Sequence, residues 1–176
     1  MHLYTQSQSP NGQRVAVFMK EKGVEIPLTE IDLRGAENLS DEHKNRNPFG
    51  RVPVLQMDDG SFLAESQAIC LLLEGLHPEP NMFGDSAEEK AKIEMWNRRV
   101  ELNVLMPVAQ GFRNLTGFFK DRETVVKEWG EVAAADAKRA VEIFDAHLAS
   151  NQFILGDRYC ISDMTLAIPL GFAKNV

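Results

Sequence analysis

Cysteine is scarce in this sequence of 176 residues: Cys70 and Cys160 are the two it has, far apart and in neither a CxxC pair nor a zinc-finger spacing. The four histidines, His2, His43, His77 and His147, are equally dispersed, and no HxxxH or HExxH places two of them on one helical face. A dedicated metal site is not expected. No apolar run approaches the roughly 18 residues of a membrane helix, so the chain is read as having no membrane segment. Met1 to Pro10 lacks the basic and apolar regions of a secretory signal, which points to a cytoplasmic protein. Basic charge is in deficit: 19 Lys plus Arg stand against 26 Asp plus Glu, a net charge of −7, and the basic residues are scattered. Nucleic-acid binding is therefore disfavoured. The sequence also has no Walker A run, no GxGxxG and no GxSxG, which removes the signals of a P-loop, a Rossmann site and an esterase elbow.

What remains is a globular composition, 44% hydrophobic and 26% charged, with enough chain for one ordinary domain or two small ones. Leu3-Tyr4-Thr5 is β-prone, and Ser7 to Gly12 has the turn chemistry that leads into a helix. From Arg14 to Lys22, Val15, Phe18 and Met19 share a helical face, with Gly23 placed to end the helix. Glu25 to Leu33 reads as an edge strand whose apolar phase shifts between Leu28 and Ile31, and Arg34 to Asn47 as irregular or weakly helical. Val52 to Met57 and Ser61 to Ala64 flank Asp58-Asp59-Gly60 as a hairpin, and Glu65-Ser66 opens a helix with Ile69, Leu72, Leu73 and Leu76 on one face. His77 to Ser86, with Pro78, Pro80 and Gly84, carries no periodicity and reads as a linker.

Everything beyond reads as helix. One stripe holds Ile93, Trp96, Val100 and Val104, a second Leu102, Leu105, Ala109 and Phe112, and Pro107 should end or kink the helix that carries them. From Thr124 to Ser150 an apolar stripe from Val125 and Trp129 through Val132 and Ala137 to Phe144 and Leu148 is expected to face a core. Tyr4 reads as a packed strand aromatic, Cys70 as a small buried residue and His77 as a cation ending its helix.

Three short pieces carry the chemistry. Ser9-Pro10-Asn11-Gly12 sits at a helix N-terminus, where open backbone N–H groups and the helix dipole favour an anion, although Ser9 or Asn11 would serve equally as a plain cap. Asn47-Pro48-Phe49-Gly50-Arg51-Val52-Pro53 puts a proline at the start of a non-edge strand, where a cis Val52-Pro53 bond would turn the Val52 backbone groups outward. Glu65-Ser66 opens a helix directly after a strand, a placement that simple capping also explains. Their order along one small α/β unit resembles the cytosolic glutathione transferase family, and in particular bacterial members that pair a hydroxyl residue with an Asn two positions on. Gly156-Asp157-Arg158-Tyr159-Cys160-Ile161-Ser162-Asp163 is similar to the family's capping-box motif, with Cys160 where Ser or Thr is usual, Asp163 at N3, and Tyr159 and Met164 as the staple.

The resemblance implies a thioredoxin-like α/β N-terminal domain over residues 1–77 that binds glutathione, a linker over 78–86, and an all-α C-terminal helical domain over 87–176. That helical domain is expected to be incomplete, because the chain stops 13 residues past Asp163 where the family usually continues. It implies glutathione as co-substrate, with Ser9 or Asn11 stabilising the thiolate, Val52 and Pro53 presenting backbone to the tripeptide, Glu65 and Ser66 binding its γ-glutamyl end, and Arg51 and Asn38 reaching the glycyl carboxylate. The second substrate would be a hydrophobic electrophile lying between the domains against helix faces around Met95 to Phe112, in a detoxifying homodimer. Glutathione-dependent disulfide or peroxide reduction, and a non-catalytic interaction module on the same fold, are the alternatives. The energetics are modest: lowering a free thiol pKa of about 8.5 by two units takes about 2.7 kcal/mol. One charge-assisted hydrogen bond of about 1.5–3 kcal/mol and a helix terminus of about 0.3–1 kcal/mol suffice together.

Overall fold

A computed structural model of the chain describes residues 1–175; Val176, the last residue of the expected helical domain, lies outside the described residues. The chain divides into two units, one running from Met1 to Pro80 and the other from Asn81 on.

The first unit is a four-stranded sheet with helices. β1 (His2–Thr5) leads into α1 (Pro10–Glu21), then β2 (Leu28–Glu30), a 3-10 turn (Glu37–Leu39), α2 (Asp41–Arg46), the hairpin β3 (Val54–Gln56) and β4 (Phe62–Ala64), and α3 (Ser66–Leu76). The sheet order is β2-β1-β3-β4, with β1 parallel to β2 and antiparallel to β3, and β3 antiparallel to β4. Local chemistry sets most of the boundaries. Gly60 takes φ +84° in the Asp58-Asp59-Gly60 turn, and Gly23, with φ +62°, follows the α1 C-cap, where a side chain would be strained. Apolar faces of α1 (Val15, Phe18) and α3 (Ile69, Leu73) are buried with Leu3 and Leu55 of the sheet.

One sequence expectation changes here. The strand read over Glu25 to Leu33 pairs only at Leu28–Glu30, and its phase shift is visible in burial: Ile26 and Ile31 are in the core while Leu28 is exposed. Within Arg34 to Asn47, read as irregular or weakly helical, the short α2 forms, and Ser40 caps it by accepting from the His43 N–H at 3.2 Å.

In the second unit, a capping box between Ser86 and Glu89 starts α4 (Ala87–Val100). Pro107 does not end the helix. The five residues Glu101–Leu105 wind as a π-helix, and α5 (Met106–Thr116) continues from them with Pro107 in its first turn. Proline has no N–H and crowds the carbonyl four residues back, and the wider turn relieves both. The first stripe is buried as read, Val100 and Val104 sharing a cluster with Val108 against which Trp96 packs; in the second, Leu105 is buried while Leu102 is exposed.

α6 (Lys127–Leu148) turns a line of small residues inward, Gly130, Ala133, Ala137 and Ala140, with Phe144. The expectation that Val125, Trp129 and Val132 belong to the core is corrected: Trp129 and Val132 are each 50% exposed and Val125 is exposed as well. The reason is the closeness of α5. A Cβ on Gly130 would stand 2.9 Å from Asn114 Cβ and from Leu115 Cγ, so the contact face is the one that carries no bulk. α7 (Ile161–Phe172) opens on the expected motif, where Asp163 accepts from the N–H of Cys160 at 2.9 Å and of Ile154 at 2.8 Å, and the Tyr159 ring lies tilted against that of Phe153, 5.6 Å between centroids. No helix among the described residues is long and apolar enough to cross a membrane.

Candidate active site

Strand register gathers the three short pieces at one end of the sheet. Val54 pairs with both Tyr4 and Ala64, so the residues just before β3, just after β1 and just after β4 leave the sheet together. These are Val52-Pro53, the Gln6 to Ser9 turn into α1, and Glu65-Ser66.

The first turn of α1 is nearly saturated by Ser9. Its Oγ accepts from the Gly12 N–H at 3.1 Å, its carbonyl accepts from Gln13 N–H at 2.8 Å, and its own hydroxyl hydrogen goes to the Gln6 carbonyl at 2.7 Å. Pro10 has no N–H to offer. The backbone donor left in this turn is that of Asn11, whose exposed side chain stands beside it. Ser7 is turned the other way, giving both its N–H, at 3.0 Å, and its hydroxyl to the Glu30 carboxylate. Tyr4 stays in the strand as expected: its hydroxyl donates to Gln56 Oε1 at 3.2 Å and the Arg46 guanidinium lies 4.0 Å from its ring centroid.

The second helix end is open. Glu65 occupies the N-cap of α3 with φ +71°, a left-handed value that costs a non-glycine residue roughly 1–3 kcal/mol, and its side chain makes no capping bond. Simple capping does not account for this acid. The N–H groups of Ser66, Gln67 and Ala68 are left for an anion. Ser66, 5% exposed, is not a cap either: its Oγ donates to Asn11 Oδ1 at 3.1 Å and accepts from Arg14 Nη1 at 3.1 Å. The two helix ends are thus joined through side chains 55 residues apart.

The Val52-Pro53 bond is cis, and the Val52 N–H and C=O take no partner among the described residues. The loop ahead of it is pinned from behind. Asn38 Nδ2 donates to the Gly50 carbonyl at 2.7 Å, and Asn47 Nδ2 and buried His43 Nε2 both donate to the Arg51 carbonyl, at 3.1 and 3.0 Å. Arg51 itself is exposed. Arg14 and His43 are parts of the site that motif reading passed over, and Asn47 opens the stretch that runs to Val52-Pro53. Arg14 had a signal, since it sits one turn before Phe18 on the stripe that faces the core, where a charge requires a polar reason.

Cys70 lies one turn after Ser66. Burial pushes its thiol up from an ordinary 9.0 to about 12, against the nearby Arg14 charge, and burial with the Asp163 carboxylate raises Cys160 to about 11. Neither is a nucleophile at neutral pH. The folded chain keeps the Cys70 proton over a range where the unfolded chain loses it, so stability falls as pH rises through 9.0. Between pH 8 and pH 10 this thiol should remove about 1.4 kcal/mol. Melts at both pH values should show that loss in the parent protein and a smaller one in Cys70→Ala.

A sheet of this order with helices packed on it, followed by a unit built wholly of helices, is the thioredoxin-like and all-helical pairing of the glutathione transferases. A family model described as the glutathione S-transferase N-terminal domain matches residues 3–81. Glutathione S-transferase 2 of Saccharomyces cerevisiae is 32% identical over 180 residues, covering 100% of this chain and 77% of that protein. A solved glutathione S-transferase domain-containing protein of Marinobacter aquaeolei superposes with a TM-score of 0.95 at 31% identity, over 100% of this chain and 89% of that one. Elongation factor 1-gamma 2 of Oryza sativa is also similar, 29% identical over 98% of this chain and 40% of its own length. The chain belongs to the glutathione S-transferase family.

Proposed function

We propose that the protein transfers glutathione to a hydrophobic electrophile, with the thiol ionised at the N-terminus of α1 by Asn11. The bond from Ser66 to Asn11 carries this reading, because it holds Asn11 beside a second, uncapped helix N-terminus. The γ-glutamyl carboxylate would lie on the open N–H groups of α3 with Glu65 on its amine. Val52, through the N–H and C=O that Pro53 leaves outside the ladder, would pair with the tripeptide backbone. Arg51 would reach the glycyl carboxylate, and Asn38 would hold the loop that presents it. The thiol proton leaves to solvent, and the thiolate sulfur forms a bond to the electrophilic carbon as the leaving group departs.

Between Ser9 and Asn11 the geometry favours Asn11, since the Ser9 hydrogen already serves Gln6. Ser9 then acts by capping, worth about 0.5–2 kcal/mol. A cytoplasmic homodimer is part of the proposal, on the family's habit. The test is the ultraviolet absorbance of bound glutathione thiolate against pH. Asn11→Ala should raise the midpoint by about one unit and lower kcat/KM about tenfold, whereas Ser9→Ala should mainly lower the melting temperature. An unshifted thiol in the parent protein, with no retention on immobilised glutathione, would favour a non-catalytic module, the reading to which the likeness with elongation factor 1-gamma 2 lends weight.

A further inference from the structure

Arg14 lies on the inward face of α1 and is 2% exposed, with Nη1 3.1 Å from Ser66 Oγ. A guanidinium has donors and no acceptor. The Ser66 oxygen must therefore receive this bond, and its single hydrogen turns to the acceptor in reach, Asn11 Oδ1 at 3.1 Å. That choice fixes the Asn11 amide: its carbonyl faces inward and its Nδ2, which can donate two bonds, faces out. Donation from a charged group also polarises the hydroxyl it reaches, which strengthens the next bond in line.

We propose that Arg14 is a positioning residue that sets the direction of a relay, Arg14 to Ser66 to Asn11, so that the anion at the α1 N-terminus meets an N–H and not a carbonyl. This rests on the reading of Asn11 as the thiolate donor. Without Arg14, the serine hydrogen is no longer steered and the amide is free to turn over. An oxygen facing the sulfur raises the thiol pKa instead of lowering it.

The experiment follows the pH midpoint of thiolate absorbance at saturating glutathione in the parent protein, Arg14→Met, Arg14→Lys and Ser66→Ala, with a melting curve for each. Arg14→Met and Ser66→Ala should each raise the midpoint by about one unit, a tenfold loss of thiolate below it. Arg14→Lys, which still donates, should recover most of the shift. Should Arg14→Met fail to fold, Arg14→Lys and Ser66→Ala carry the comparison. A shifted parent with both Ser66→Ala and the folded Arg14 variants unchanged overturns the relay alone. An unshifted parent overturns the thiolate reading and the relay with it.

Discussion

Glu74→Ala should lower the free energy of unfolding by about 3 kcal/mol, the low end of what removing one partner of a buried ion pair costs. The Lys22 side chain is 0% exposed and that of Glu74 12% exposed, and Nζ stands 2.5 Å from Glu74 Oε2 at the C-terminal ends of α1 and α3. Alanine leaves the ammonium in the interior. Its remaining partners are the carbonyls of Pro78, at 3.4 Å, and Pro80, with the Phe18 ring 5.4 Å away, which is why the loss is not larger. For a chain of this size the melting temperature should drop by about 6–12 °C. The companion Lys22→Met with Glu74→Leu removes both charges and should recover most of the loss, because an apolar pair avoids the desolvation that the ion pair carries. Denaturant melts of the three variants check both statements.

Gly12→Ala is expected to damage activity more than stability. A Cβ there would stand 2.2 Å from the Gln6 carbonyl oxygen and 2.8 Å from Thr5 Oγ1, so backbone must move. Overpacking of this kind costs about 1–3 kcal/mol, and a helical alanine returns nearly 1 kcal/mol of it. What moves is the first turn of α1, with the Ser9 cap and Asn11. Misplacing a reacting group by about 1 Å costs on the order of 100-fold, so kcat/KM with glutathione and an aryl halide should fall by that order while the melt changes by a few degrees. Unchanged turnover would place the reacting sulfur away from this turn.

Features set by neighbours in the chain were legible without coordinates. The Asp58-Asp59-Gly60 turn, the Gly23 stop and the Asp163 motif each depend on one short stretch of chain, and each reads directly from it. Site pieces were legible as pieces: Ser9 to Gly12, Val52-Pro53 and Glu65-Ser66 each has a local signature. Their joining was not, because the Ser66 to Asn11 bond spans 55 residues and nothing near either end encodes it. Long-range packing defeated the reading of Trp129, whose spacing suits a core stripe. The inner face went to Gly130 and the alanines, since only small residues let α5 approach. Pro107 marked the right place, an end or a kink, without saying what form the disturbance takes: proline forbids an ordinary turn behind it, and the chain wound a wider one.

That wider turn makes chain length and angular phase separable in the second unit. An α-helical residue advances about 100° and a π-helical one about 80°, so valines four apart at 100, 104 and 108 can keep facing the same way where a plain helix would carry them roughly 80° round. Glu101–Leu105 thus acts as a phase corrector, absorbing the equivalent of one residue. A chain one residue shorter at this point could close as a plain α-helix with Val108, Gly111 and Asn114 aimed as they are now. At its present length, the wide turn is what keeps Asn114 directed at the Val126 N–H, 2.8 Å away, where α6 begins.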